Sequence, residues 1–411
     1  MTTSRAIEAA VRGRRPAQVV ALFDGMEEGH ERTAYRTCAC RALEAADRRE
    51  AAVSVDVLRR LLGCAAWIEG HTTHLHRVQI PDLLGHSGAA DLVDREAAAV
   101  RRGLDLHLAG LELAEAVGED ALRVGGPAHP PEPAALTVVR GRLEDTVDAA
   151  LRTVGWIAGI DVPASMLDIP LLVLDDPVPG PVAHGRARYP LDGGVGVLTS
   201  TGLGFPLSEF ESYISRPRSG PPRAGRAALR GAKASLTGPL ARNALCGRFL
   251  HPAARAAADL AGLTAAERNP YRSALIRAVE LVHAIEEAVV LIDGYQVPDP
   301  PRPQPPEQAR AGRGFAAVES PSGLLYQRFD VLPDGTVGAV RLIRPEELNR
   351  TAVELDLRRA ERTARRRDPD IGPEALATLR TELAHTYDLA DASPAQGGTI
   401  GPDRRAHPAR P

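Results

Sequence analysis

The segment NPYRSALIRAVELVHAIEEAVVLIDGY, residues 269–295, constrains the fold more than any other. Its apolar residues recur at three- and four-residue spacing, so it reads as one long amphipathic helix that needs neighbours of similar length to cover its apolar stripe. Three other segments can supply that cover. Residues 41–77 read as helix with a brief break near 51–53, with Leu58, Leu61, Leu62, Ala65, Ile68 and Leu75 at helical spacing. A second pattern runs from about Ala89 to Val117 and stops at Gly118. A third runs from about Leu136 to Ile157, after the proline-rich bend GGPAHPPEPAA (125–135). The expected fold class is mainly α (α+β), a bundle of long helices with a peripheral β-hairpin region.

The β signal comes late in the chain. GFAAVESPSGLLYQRFDVLPDGTVGAVRLIRP (314–345) places apolar runs on either side of Pro-Asp-Gly, a hairpin pattern. Helices are expected from Asn349 to about Arg367 and from Pro373 to Ala384. Earlier, residues 162–231 are rich in proline and glycine, and pieces such as IPLLVLDD read as short strands or loop. Within them SRPRSGPPRAGRAALRG (215–231) has the composition of a disordered segment. The expected organisation is a helical core over 1–297 with an irregular insertion at about 162–231. A proline-rich linker (298–311), a hairpin with C-terminal helices returning to the core (312–396) and a flexible tail (397–411) follow.

Bulk charge excludes little but is informative about partners. The chain has 50 basic and 53 acidic residues, for a net charge of −3, which gives no electrostatic reason to expect nucleic acid or an anionic membrane. No apolar run reaches the roughly 18 residues of a membrane-spanning helix, and the start, MTTSRAIEAAVRGRRP, lacks the apolar stretch of a signal peptide. A cytoplasmic protein is expected. Four cysteines, Cys38, Cys40, Cys64 and Cys246, are too few for a disulfide framework in 411 residues.

Three groupings carry chemistry. Glu28 and Glu31, with His30 between them, could hold a hard divalent cation or act as an acid–base pair; an acidic first helical turn is the plainer account. His71 and His74, near Glu69, share a helix face but lack the i,i+4 spacing and central glutamate of a metalloprotease helix, so hydrogen-bonded structural histidines are favoured. Cys38 and Cys40 are turned about 200° apart on a helix, which suits small buried hydrophobes better than ligands. No phosphate loop, dinucleotide fingerprint or nucleophile elbow is present.

Taken together, several segments resemble one family in its order along the chain. They are RAIEAAVRGRRP (5–16), AYRTCACRALEAA (34–46), LRRLLGCAAWIEGHTTHLHRVQIPDLLG (58–85), LTGPLAR (236–242), RNPYRSALIRAVELVHAIEEAVVLID (268–293) and GRGFAAVESPSGLLYQRFDVLPDGTVGAVRLIRPEELN (312–349). The family is the large (alpha) subunit of nickel–iron hydrogenases, nearest the cytosolic NAD(P)-linked kind, which oxidise hydrogen reversibly and pass electrons to a carrier. The resemblance implies four cysteine thiolates, in one pair near each end of the chain. They hold nickel and bridge it to an iron that carries cyanide and carbon monoxide, and an arginine of an E-A-P-R-G motif lies over the iron.

The same alignment of motifs implies that this chain has lost those ligands. Glu28 and Glu31 stand where the first cysteine pair belongs, and Ala390 and Ser393 where the second belongs, with Gln396 for the terminal histidine. ESPSG (319–323) has Ser322 in place of the arginine, and Glu319, His30 and Asp388 keep their places around the pocket. An N-terminal hairpin with an R-x-E-G-H motif is missing, whether by deletion or a misplaced start. Carboxylate is a hard donor and alanine is none, so no nickel–iron centre is expected. The expected function is a degenerate large-subunit homologue acting as a structural or regulatory member of an oxidoreductase complex, partnered by a small iron–sulfur subunit. The alternatives are an enzyme with a repurposed carboxylate metal site at Glu28 and Glu31, supported by Glu69, His71 and His74, and a working hydrogenase subunit.

Overall fold

In a computed structural model the described residues are 3–25, 29–86, 88–177, 188–216, 225–297 and 310–388. Two short helices come first, α1 (Ser4–Val11) and α2 (Pro16–Leu22), in a stretch for which no helix is expected above. Thr3 caps the first through its side-chain oxygen, which accepts the Ala6 N–H at 3.3 Å. The next helices are α3 (Gly29–Ala46) and α4 (Val53–His74). The helix expected from residue 41 therefore begins 12 residues earlier, at Gly29, and buries everything from Ala34 to Cys40.

After His74 the coil widens to a π-helical turn, Leu75–Gln79, and continues as α5 (Ile80–Leu83). Pro81 has no N–H to return to the carbonyl of Arg77, which is the usual cause of such a widening. The pattern expected over 89–117 is two helices, α6 (Ala89–Arg95) and α7 (Ala97–Val117), because Glu96 leaves helical geometry at φ −123° and ψ 41°. Helix α8 (Pro133–Ala158) follows.

The region expected to be irregular is short-stranded. β1 (Leu172–Asp175), β2 (Gly196–Thr199) and β3 (Gly204–Pro206) form an antiparallel sheet in that order. After α9 (Phe210–Tyr213), β4 (Ile214–Ser215) pairs with β5 (Ala228–Leu229). Ser215, Arg216 and residues 225–231 are thus held in structure, whereas 217–224 lie outside the described residues. Then come α10 (Pro239–Cys246), α11 (Pro252–Leu260) and α12 (Ser273–Asp293).

Helix α12 is the axis of the molecule. Every residue from Ser273 to Ile285 is buried, so it is covered all round instead of along one stripe. It packs against α4 and α8, α7 lies against both of those, and the four form the main core. A helix this deeply buried must answer its charges internally, and α12 carries Arg277, Glu280, His283 and Glu287.

The late β signal is a three-stranded antiparallel meander, β6 (Gly312–Ser320), β7 (Gly323–Val331) and β8 (Val337–Ile343). The Pro-Asp-Gly turn joins β7 to β8, and the Asp334 carboxylate accepts the Thr336 N–H at 2.9 Å. Ahead of it is a second tight turn, Pro321-Ser322, between the paired Ser320 and Gly323. One face of the sheet packs with α1 to α3, and the other forms a third cluster with β1, β2 and Phe210. Helices α13 (Pro345–Arg367) and α14 (Pro373–His385) close the described chain close to where the sequence placed them. Of the expected linker, residues 298–309 lie outside the described residues, as does the whole of the expected tail.

Candidate functional site

Five pieces of backbone converge beside the N-terminal end of α12. They are the first turn of α3 (Gly29, His30, Glu31), the C-terminal half of α4 (Glu69 to His74), Arg277, the Pro321-Ser322 turn, and Asp388 just after α14. Gly70 makes the convergence possible. A Cβ there would lie 2.7 Å from the His30 ring and 2.8 Å from Pro321, so any other residue would push both away. Gly29, at φ +60°, starts α3 with its Cα facing Glu69, whose Oε1 would be 3.1 Å from an added Cβ.

The rim of this site is a set of mutual pairs. Ser322 donates its hydroxyl to Glu31 Oε1 at 2.8 Å, and His30 Nε2 lies 4.0 Å from the same oxygen. Asp388 receives the Arg277 guanidinium on one oxygen and His74 Nδ1 on the other, the latter at 2.7 Å. The second nitrogen of His74 meets the carbonyl of His385 at 2.9 Å. Burial lowers the His30 pKa despite the nearby Glu69 and Asp388 carboxylates. Burial alone would raise the Asp388 carboxyl, but Arg277 and His74 outweigh it and hold it far below the usual range. Asp388 also sits at φ +56°, a backbone state that a non-glycine residue holds only when its surroundings enforce it.

Behind the rim lies a second cluster with no exposure. Arg242 places Nε and one terminal nitrogen on the two oxygens of Glu280, at 2.6 and 2.9 Å, and its other nitrogen 3.1 Å from Glu319. His71 Nε2 lies 3.0 Å from Glu280, and the Tyr189 hydroxyl donates to Glu280 at 2.7 Å. The Trp67 ring lies 4.4 Å beneath the Arg242 guanidinium. Burial would raise the Glu280 carboxyl, yet the two bonds from Arg242 hold it well below normal. Glu319 receives one bond from Arg242 and one from the Leu174 N–H; there burial wins, and its carboxyl is pushed up to about 7. Burial pulls His71 down to about 4, so it is neutral.

The residues singled out in the sequence divide between these clusters. His30, Glu31, Glu69, His74, Ser322 and Asp388 meet at the rim, and Glu319 and His71 belong to the inner cluster. His71 and His74 share a face but serve different carboxylates, so they do not converge on one ligand position. Glu28, Ala390, Ser393 and Gln396 lie outside the described residues. Arg277, Arg242, Glu280 and Tyr189 were missed. The signal available for two of them, Arg277 and Glu280, was a charged R-x-x-E step inside a mostly apolar helix.

The rim's donors among the described residues are carboxylates, imidazoles and a hydroxyl, and a nickel–iron centre asks for others. That centre takes soft thiolates, and all four cysteines of the chain are buried and free. Cys38 donates its thiol to the Ala316 carbonyl at 3.3 Å, and burial pushes the thiols of Cys40 and Cys246 up to about 12. Among the described residues, three metal-type ligands come together at another place, His251, His283 and Glu287. There the Glu287 carboxylate is already taken by Arg60 on one oxygen and His251 on the other.

No protein-family model matches the chain. In sequence it is similar to the sulfhydrogenase 1 alpha subunit of Pyrococcus furiosus, 24% identical over 359 residues that cover 84% of this chain and 80% of that one. The sulfhydrogenase 2 alpha subunit of the same organism is 23% identical over 333 residues, covering 79% and 74%. In structure it is similar to an NAD+-reducing [NiFe]-hydrogenase in the H2-reduced state, with a TM-score of 0.77, 18% identity and coverage of 95% and 90%. The Ni-Fe-Se hydrogenase of Desulfomicrobium baculatum gives a TM-score of 0.67 at 15% identity, covering 94% and 91%.

Proposed function

Taking as premise that this chain is a homologue of hydrogenase large subunits, we propose that it has kept their scaffold and given up their metal centre. In this reading it is a non-catalytic, cytoplasmic member of an oxidoreductase complex, docked on an iron–sulfur small subunit, with a structural or regulatory role. The observation that carries the reading is the donor set. Where soft ligands are required, the rim offers carboxylates, imidazoles and a hydroxyl, and a buried guanidinium, Arg277, stands among them. No helix among the described residues is long and apolar enough to cross a membrane.

A second reading has a specific observation behind it. His30 lies 4.0 Å from Glu31 and within the field of Glu69, and together with Glu28 these carboxylates would make a set suited to a hard cation. The positive charge of Arg277, which lowers the His30 pKa, works against that reading.

The test is elemental analysis of the protein purified from its native host, with every co-purifying chain identified. Absence of nickel together with a stoichiometric iron–sulfur subunit supports the proposal. Nickel near one per chain overturns it. Magnesium, manganese or zinc at full occupancy, lost in a Glu28→Gln, Glu31→Gln variant, replaces it with the second reading.

A further inference from the structure

Helix α7 (Ala97–Val117) packs on α4 and α8 and buries one face against them. Its outer face is apolar where a wet face would carry charge. Leu104, Leu108 and Leu111 are 55%, 43% and 42% exposed. Single exposed leucines are ordinary, but these follow one another at steps of four and three residues. Ala97, Arg101 and Glu115 continue the same alternation on either side, and all six positions are exposed. Alternating steps of four and three make the seam along which one helix packs on another.

The charges on the stripe indicate what fits it. Arg101 and Glu115 each lie seven residues from Leu108, one on either side. Neither has an ion pair among the described residues: Asp105, one turn beyond Arg101, is held by Arg142 at 2.6 Å. The same guanidinium holds Glu112 at 3.2 Å, so the two carboxylates along one edge of the stripe are answered within the chain. A two-fold axis at Leu108 therefore makes the stripe its own complement. It sets Arg101 of one copy level with Glu115 of the other, twice over. It also brings Leu104 within one residue's rise, about 1.5 Å, of the other copy's Leu111. A parallel pairing would instead abut arginine with arginine and glutamate with glutamate. Val138, 77% exposed, lies one turn before Arg142 on the same face of α8 and widens the apolar surface on that side.

We propose that α7 is a self-association surface, on which two copies of this chain pack antiparallel about Leu108. The leucines exclude water from its centre, and two Arg101–Glu115 pairs close its ends. No rim residue takes part, so this pairing is independent of the function proposed above.

Sedimentation of the full-length protein over a range of concentrations tests this. The expected result is a reversible monomer–dimer equilibrium. Arg101→Glu and Glu115→Arg each place like charges across the axis and should weaken the dimer about tenfold or more. The double variant, which restores both pairs in reverse, should recover it. Both positions are exposed and unpaired, so these exchanges keep the fold. Leu108→Cys should join two chains by a disulfide on mild oxidation, whereas Leu260→Cys on α11, at a position 91% exposed, should not. A monomer at every concentration would overturn the proposal, as would a dimer that the single exchanges leave intact or a double variant that stays weak. A disulfide from the Leu108→Cys variant to a different co-purifying chain would give the stripe to that chain and overturn it equally.

Discussion

The two charge clusters on either side of Arg277 use the same residue types under different constraints. In the inner one, Arg242, Glu280, His71 and Glu319 have no exposed side-chain surface and come from the interiors of α4, α10, α12 and β6. In the rim, His30, Glu31, His74 and Asp388 keep between 12% and 26% of their side-chain surface. All four sit at element ends, His30 and Glu31 in the first turn of α3, His74 at the last position of α4 and Asp388 beyond α14. The inner cluster ties the helices and the sheet together, so changing one member strands the others in a low dielectric. The rim tolerates exchange, because water and neighbouring side chains can take over a lost partner. Under the proposed function, that difference accounts for a scaffold kept while the ligand positions around its pocket change.

The sharpest way to break the contrast is Arg242→Met. It leaves Glu280 and Glu319 buried without their cation, and a loss of about 3–5 kcal/mol is expected in urea denaturation. Asp388→Asn at the rim, which removes the charge that answers Arg277 and His74, should cost less, about 1–3 kcal/mol. Equal losses for the two variants would erase the distinction.

The pH dependence of stability should come from the inner cluster and from His283, which sits beside Glu287 and His251. His71, held down to about 4, and His283, to about 3, stay neutral when folded but take up protons below about 6.5 when unfolded. Each therefore removes about 1.4 kcal/mol of stability per pH unit as the pH falls from about 6.5 towards those values. Glu319 acts in the opposite direction. Its folded carboxyl, up at about 7, keeps a proton that the unfolded chain releases above about 4.5, so stability falls as pH rises between the two. Glu319→Gln removes that opposing slope, and the loss on acidification from 6.5 to 4.5 should steepen by about 1.4 kcal/mol per unit. Denaturation curves collected across this range read the change directly.

Much of the scaffold was legible because it rests on periodicity. The long helices, the Pro-Asp-Gly hairpin and the two closing helices follow from apolar spacing and turn residues. The charged start of α3 was legible as an acidic first turn, and Glu31 is found there. Arg277, Arg242 and Glu280 were not, because a charged residue on a helix normally marks its wet face. Only the complete enclosure of α12 by α4, α8 and their neighbours turns those charges inward, and enclosure is a property of the assembled bundle. The first strand of the meander was hidden for a related reason: the Pro321-Ser322 turn carries no hairpin signal as strong as Asp-Gly.

Smaller effects sharpen the rim itself. Ser322→Ala deletes the hydroxyl that donates to Glu31 and should cost about 1 kcal/mol or less. All four thiols should resist a maleimide in the folded protein and react together on unfolding, since each is buried and none is a thiolate at neutral pH.

The proposed function requires that the rim cannot assemble a cyanide- and carbonyl-bearing iron beside nickel. The most direct measurement is the infrared spectrum of the native complex under hydrogen, in the region where metal-bound cyanide and carbon monoxide stretch. A spectrum without such bands assignable to this subunit is what the donor set predicts. Bands that persist in the purified subunit and shift with hydrogen would contradict it, and would mean that a nickel–iron centre is held here by ligands other than cysteine.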